Sequence, residues 1–140
     1  MAGYSGTPLP RKLGIKPGAR LGVVRPPPDF HETLGELPDG VSAKPLGRGG
    51  PFDVIVCFCR SSKELVHDLL ALPTRLHPTG GLWIAWRKRS SGLATDLGEV
   101  EVRSRGLATG LVDNKVCAID DTWSGLRFVV RLADRKRSKK

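Results

Sequence analysis

Residues 52–86 read FDVIVCFCRSSKELVHDLLALPTRLHPTGGLWIAW, and the changes of pattern inside this stretch decide the fold. Residues 52–59 form a continuous apolar run, rich in β-branched side chains and bounded by turn-forming residues. A run without polar alternation predicts a strand covered on both faces, as in a parallel sheet. Ser61 or Ser62 then caps a helix, with Glu64 three residues after Ser61 in capping-box spacing. Leu65, Val66, Leu69 and Leu70 supply its apolar face, and Pro73 closes it. Gly80 and Gly81 lead into a second buried run, LWIAW at 82–86. Strand, helix and strand in this order make a βαβ unit.

Outward from this unit the elements are shorter. Residues 20–25 (RLGVVR) predict a strand stopped by Pro26, Pro27 and Pro28, and Asp29 begins a brief helical turn through Phe30, Thr33, Leu34 and Leu37. A weak strand is expected over 41–46, and 47–51 (GRGGP) is a loop. After Trp86 comes the polar loop RKRSSG. Residues 95–106 fit both a helical stripe (Leu97, Val100, Ser104, Leu107) and a strand alternation. The helix is preferred because another βαβ step would follow it. Residues 111–119 predict a strand, and 126–132 alternate with Leu126, Phe128, Val130 and Leu132 inward and Arg127, Val129 and Arg131 outward. The six residues 120–125 suit a hairpin between them. The expectation is one α/β domain: a mainly parallel sheet with flanking helices and an antiparallel C-terminal hairpin at its edge. Residues 1–19 form an arm ordered by Leu9, Leu13 and Ile15 against the body, 20–134 form the domain, and 135–140 are a disordered basic tail.

The chain has 140 residues, 39% of them hydrophobic and 26% charged, with 17 Gly and 11 Pro. Its formal net charge is +9, which taken alone suggests nucleic acid. Position changes that reading. Residues 1–20 hold Arg11, Lys12, Lys16 and Arg20 and no acid, and 135–140 hold five basic groups and no acid, so 21–134 carry 14 basic residues against all 14 acids. The body is formally neutral and the charge belongs to the two ends. No apolar run approaches the roughly 20 residues of a membrane span, and the first residues have no apolar stretch of the signal-peptide kind. The chain is therefore expected to be cytoplasmic, with no membrane partner.

Most catalytic patterns are missing. Cys57, Cys59 and Cys117 form no C-x-x-C pair. Cys57 and Cys59 share one strand face, where they do not readily close a disulfide, and all three read as buried small hydrophobes. His31, His67 and His77 show no metal spacing, and His67 and Asp68 read as neighbours on a helix surface. No metal and no cofactor are expected. Three prolines after the first strand remove the N–H donors that a nucleotide-binding glycine loop would supply. One constellation is left. Ligands of open α/β sheets bind beyond the carboxyl ends of the strands, and those ends carry Arg25, then Arg60, Ser61 and Ser62, then Arg87 and Lys88. With the start of a helix at Ser61 and Ser62, these residues predict a site for a small anionic metabolite. Asp120, Asp121 and Trp123 are the second oddity: a partner loop or general-base position, or, the preferred reading, a Trp folded over the end of the core with solvated acids.

The opening GYSGTPLPRKLGIKPG, the central GGLWIAWRK and the closing GLVDNKVCAIDDTWSGLRFVVR resemble a family of small bacterial proteins classed as a domain of unknown function. In that family a Pro usually follows the second Trp, where this chain has Arg87. The order of elements also resembles a shortened Rossmann-like methyltransferase scaffold, whose last strands form an antiparallel hairpin. The resemblance implies the scaffold and no catalytic residue. The leading functional expectation is a cytoplasmic binding or regulatory module holding an anion at the strand ends. The alternatives are a divergent methyltransferase-like enzyme and a weak nucleic-acid binder acting through the basic termini.

Overall fold

The computed structural model describes residues 7–47, 49–93 and 95–138. The first six residues of the expected arm, Arg48 of the 47–51 loop and the last two residues of the expected tail lie outside the described residues. Six strands form one sheet: β1 (Leu21–Val24), β2 (Lys44–Pro45), β3 (Phe52–Phe58), β4 (Leu76–Arg87), β5 (Val112–Ala118) and β6 (Trp123–Val129), in the order β2-β1-β3-β4-β6-β5. Strands β2, β1, β3 and β4 pair in parallel, and β6 pairs antiparallel with both β4 and β5. The helices are α1 (Leu9–Lys12), α2 (Phe30–Leu34), α3 (Ser62–Ala71), α4 (Glu99–Ala108) and α5 (Leu132–Ser138). This is the mixed α/β, Rossmann-like architecture expected from the alternation of elements. None of the described helices is long and apolar enough to cross a membrane.

The apolar run of β3 is explained by its central place. Successive side chains point to opposite faces, and each face has its own core. Ile55, Cys57 and Cys59 join Leu65, Leu69 and Leu72 of the α3 region, Val102 of α4, and Leu126 and Phe128 of β6. Val54, Val56 and Phe58 join Leu13 and Ile15 of the arm, Phe30 and Leu34 of α2, and Trp83 and Trp123. Fully burying each large apolar side chain is worth about 1.5–3 kcal/mol, so two-sided burial anchors β3 firmly.

Several expectations are corrected in detail. The buried face of α3 is Leu65, Asp68 and Leu69, whereas Val66 and Leu70 are turned to solvent, Leu70 being 78% exposed. The helix is rotated so that a carboxylate lies inward, where Arg25, directly after β1, meets it. On α4 the inward positions are Val102 and Gly106, and Val100 of the expected stripe is 82% exposed. The glycine faces Phe128, so the backbone itself meets the sheet there. The last strand ends at Val129 rather than Leu132 and lies inside the sheet, which is why Val129 is buried and β5 forms the edge. The hairpin turn is shorter than six residues, since β6 already begins at Trp123. Residues 135–138, expected within a frayed tail, form the end of α5, where Asp134 in the first turn pairs with Arg131 at 2.9 Å.

Candidate functional site

Strand order reverses between β1 and β3, because β2 follows β1 on one side and β3 lies on the other. In open α/β sheets such a point leaves a crevice at the carboxyl ends. Arg25, directly after β1, has a φ of 51°, in the left-handed region, and among the described residues no other non-glycine has a positive φ. A side chain there costs about 1–2 kcal/mol. Its bonds account for the conformation: Nε donates to the Phe58 carbonyl at 3.1 Å and lies 3.4 Å from a Glu64 oxygen, and the guanidinium closes on Asp68. Burial lowers the Arg25 pKa, but the charges of Asp68 and Glu64 and the bond to Asp68 outweigh it and hold the group above its ordinary value.

The start of α3 has its donors occupied by the chain's own oxygens. Ser61 is the N-cap and its hydroxyl accepts from Glu64 N at 3.2 Å, while Glu64 Oε1 accepts from Arg60 N at 2.8 Å. Asp96 Oδ1 accepts from Ser62 N at 2.9 Å, and Ser62 Oγ donates to Glu101 Oε2 at 2.9 Å. Ser61 thus closes the first turn of α3, while Ser62 ties that turn to the residues before α4 and to α4 itself. These carboxylates already use the positive end of the helix dipole.

Arg60 and Lys88 are placed differently. The Arg60 guanidinium lies 5.3 Å from the centroid of the Trp123 ring and donates to the Arg25 carbonyl at 3.3 Å. Lys88 Nζ donates to the Asp120 carbonyl at 2.8 Å, and its backbone N–H donates to Thr122 at 2.8 Å. Neither forms an ion pair with a carboxylate among the described residues. Arg87 is half-buried and pairs with Trp123 in the β4–β6 ladder. Of the six expected site residues, then, Arg60 and Lys88 flank one turn with cationic heads unneutralised. Arg25 is neutralised by acids, and Ser61 and Ser62 are engaged.

That turn is built by the second predicted group. Asp120 Oδ1 accepts from the N–H groups of Thr122 at 2.8 Å and Trp123 at 2.7 Å. Trp123 is buried and meets Phe58 edge-on with centroids 5.0 Å apart, and Phe58 meets Phe30 at 4.9 Å. Asp121 is exposed.

A further group escapes a reading of the sequence. Asp68 is 2% exposed, and around it converge Cys57 Sγ at 2.7 Å and Cys59 Sγ at 3.4 Å, the two sulfurs being 3.7 Å apart. His67 Nδ1 reaches the other Asp68 oxygen at 3.2 Å from a side chain that is 76% exposed. Hydrogen bonding to Cys59, then burial, then the nearby charges push the Cys57 thiol well above its ordinary pKa. The neutral thiol serves as a donor to the carboxylate. The sequence signal was present in two halves: a C-x-C pair on one strand face, and Asp68 in phase with Leu65, Leu69 and Leu72.

No family model matches the chain, and no curated protein matches it. Among solved structures, Aeropyrum pernix fibrillarin in complex with natively bound S-adenosyl-L-methionine is similar at a TM-score of 0.56 and 15% identity, over 91% of this chain and 70% of that chain. A Methanococcus jannaschii fibrillarin pre-rRNA processing protein aligns at a TM-score of 0.44 and 19% identity, over 78% of this chain and 55% of that chain. At such identity the likeness to the first concerns the fold alone.

Proposed function

We propose that this chain is a methyltransferase-like scaffold used as a non-catalytic binding or regulatory module, taking a small anion at the carboxyl ends of its strands. The observation that carries the reading is the pair Arg60 and Lys88. Arg60 is stacked on Trp123, Lys88 is held on the Asp120 carbonyl, and neither cation is neutralised by an acid. A guanidinium fixed on an aromatic face is pre-organised to accept a phosphate or carboxylate with little loss of side-chain freedom. Arg25, Ser61 and Ser62 of the original set then serve as the walls of the site, and Arg87 supports its base through β4.

S-adenosylmethionine, which the similar fibrillarin holds, fits these residues poorly. The loop after β1 has no glycine, Pro26, Pro27 and Pro28 carry no N–H, and the Arg25 side chain crosses from β1 to the Phe58 carbonyl at the switch point. A second reading, a divergent methyltransferase-like enzyme, is favoured by the fold likeness to a protein that binds this cofactor. The motif resemblance to a small bacterial family assigns chemistry to neither.

Calorimetric titration of the full chain with pyrophosphate and, separately, with S-adenosylmethionine separates the two. The proposal expects pyrophosphate to bind and to weaken about tenfold or more in Arg60→Ala, the loss of a charge-assisted contact, with no heat from S-adenosylmethionine. Binding of S-adenosylmethionine without pyrophosphate would put the second reading in its place. Absence of both signals would overturn the site.

A further inference from the structure

On the sheet face covered by α3, two thiols and a carboxylate are buried together with their ligand atoms within 4.8 Å of one another. Their arrangement does not depend on the anion site. The 3.7 Å between Cys57 Sγ and Cys59 Sγ is the edge of a tetrahedron whose centre lies about 2.3 Å from each sulfur, the usual zinc–thiolate length. The 3.4 Å from Cys59 Sγ to Asp68 Oδ2 fits the same tetrahedron with an oxygen at about 2.0–2.2 Å. The 2.7 Å from Cys57 Sγ to that oxygen has to open by less than an ångström, on the order of one side-chain adjustment.

Charge balance also fits. Two neutral thiols, one carboxylate and the Arg25 guanidinium sum to zero. Replacing the two thiol protons by one divalent cation leaves that sum at zero, so the interior need not accommodate a new charge. Two sulfurs and one oxygen select a thiophilic ion over magnesium or calcium. Arg25 Nη2 bonds Asp68 and also faces Cys57 Sγ at 3.7 Å and Cys59 Sγ at 3.9 Å. When an ion enters, it gives up the sulfurs and keeps Asp68, the outer support that carboxylate ligands require. It also stands between the cluster and solvent, with its own side chain 31% exposed and the thiols behind it closed.

We propose that Cys57, Cys59 and Asp68 bind one thiophilic divalent cation of the zinc class, with Arg25 holding Asp68 from the outside. On binding, each thiol gives its proton to solvent, two sulfur–metal bonds and one oxygen–metal bond form, and no group changes oxidation state.

The test uses cadmium as the probe on the full chain, kept reduced with a phosphine and stripped beforehand with a chelator. The ultraviolet thiolate-to-cadmium absorption should saturate at one ion per chain, with two protons released per ion and displacement by zinc. Cys117→Ser should leave the signal intact, and Asp68→Asn should weaken binding by about tenfold or more. No absorption at one equivalent overturns the proposal, as does a signal that persists in Cys57→Ala/Cys59→Ala or vanishes in Cys117→Ser. Should the double variant fail to fold by circular dichroism, alkylation of the unaltered chain decides. Cadmium at about ten times its dissociation constant should slow labelling of Cys57 and Cys59 about tenfold and leave Cys117 unchanged. Equal labelling with and without cadmium overturns the site.

Discussion

The indole N–H of Trp83, in the middle of β4, donates to the carbonyl oxygen of Leu13 at 2.9 Å, across 70 positions of chain. Both residues are completely buried. The arm is therefore fastened to the sheet by a buried polar bond as well as by Leu13 and Ile15. Trp83→Phe keeps an aromatic ring there but leaves the Leu13 carbonyl without its donor. The expected loss is about 1–3 kcal/mol for the unsatisfied group, plus a packing loss for the smaller ring. Urea unfolding should show a lower midpoint with an unchanged slope. A midpoint equal to that of the parent would mean that the arm contributes nothing through this bond.

Gly106 gives a prediction of opposite sign to helix propensity. A methyl group on its Cα would run into the Phe128 ring, which is completely buried between α4 and the sheet. Alanine inside a helix gains about 1 kcal/mol over glycine. Overpacking a well-filled core costs about 1–3 kcal/mol, so Gly106→Ala should lower stability on balance. Thermal unfolding followed by circular dichroism measures it, and a raised Tm would show that Phe128 has room to move aside.

Acid stability should depend on Glu101 and Asp113. Hydrogen bonds from Arg105 and then Ser62 hold the Glu101 carboxyl below its ordinary pKa, and the bond from Arg103 does the same for Asp113. A pKa depressed by folding contributes stability that is fully present above the unfolded value, about 3.9–4.3 for these residues. That contribution disappears as pH falls through the folded value. Glu101→Gln and Asp113→Asn should therefore flatten the decline of the urea midpoint below the ordinary carboxylate range. A decline as steep in the double variant as in the parent would assign acid unfolding to other groups.

The basic ends lead to a salt experiment. Any affinity for single-stranded oligonucleotides should be weak and should fall steeply with salt, by about 0.7 logarithmic units per phosphate contact for each tenfold rise in salt. Deleting residues 135–140 removes five basic groups and no acid. The slope should become shallower in fluorescence-anisotropy titrations. Tight binding that survives the deletion at physiological salt would point to the body rather than the tail.

The parts of the fold legible in the sequence were those set by strong local pattern. The runs FDVIVCF and LWIAW, the Ser61 cap with Glu64, and the turn between the last two strands needed no distant partner to be read. What escaped depends on residues far apart in the chain. Asp68 looked like a surface acid because its phase against Val66 and Leu70 is ambiguous over one short helix, and Arg25, 43 positions earlier, settles it by reaching inward. Leu97 and Val102 of α4 are buried but Val100 is not, because Gly106 sets which side approaches Phe128. The same holds for the site. Arg60 and Lys88 are legible as cations at strand ends, but Asp96 and Glu101 take the Ser62 donors from a part of the chain whose pattern fits both helix and strand.

The antiparallel strand β6 lies between β4 and β5, so the last of the described strands fills an interior slot of the sheet. This has a consequence for a chain emerging from the ribosome. The parallel half, from β1 to β4, can assemble as it is made, whereas β5 has no hydrogen-bonding neighbour until β6 has been synthesised. Until then the β4 edge stays open, in the state most prone to pairing with another nascent chain. The last strand closes the sheet from within.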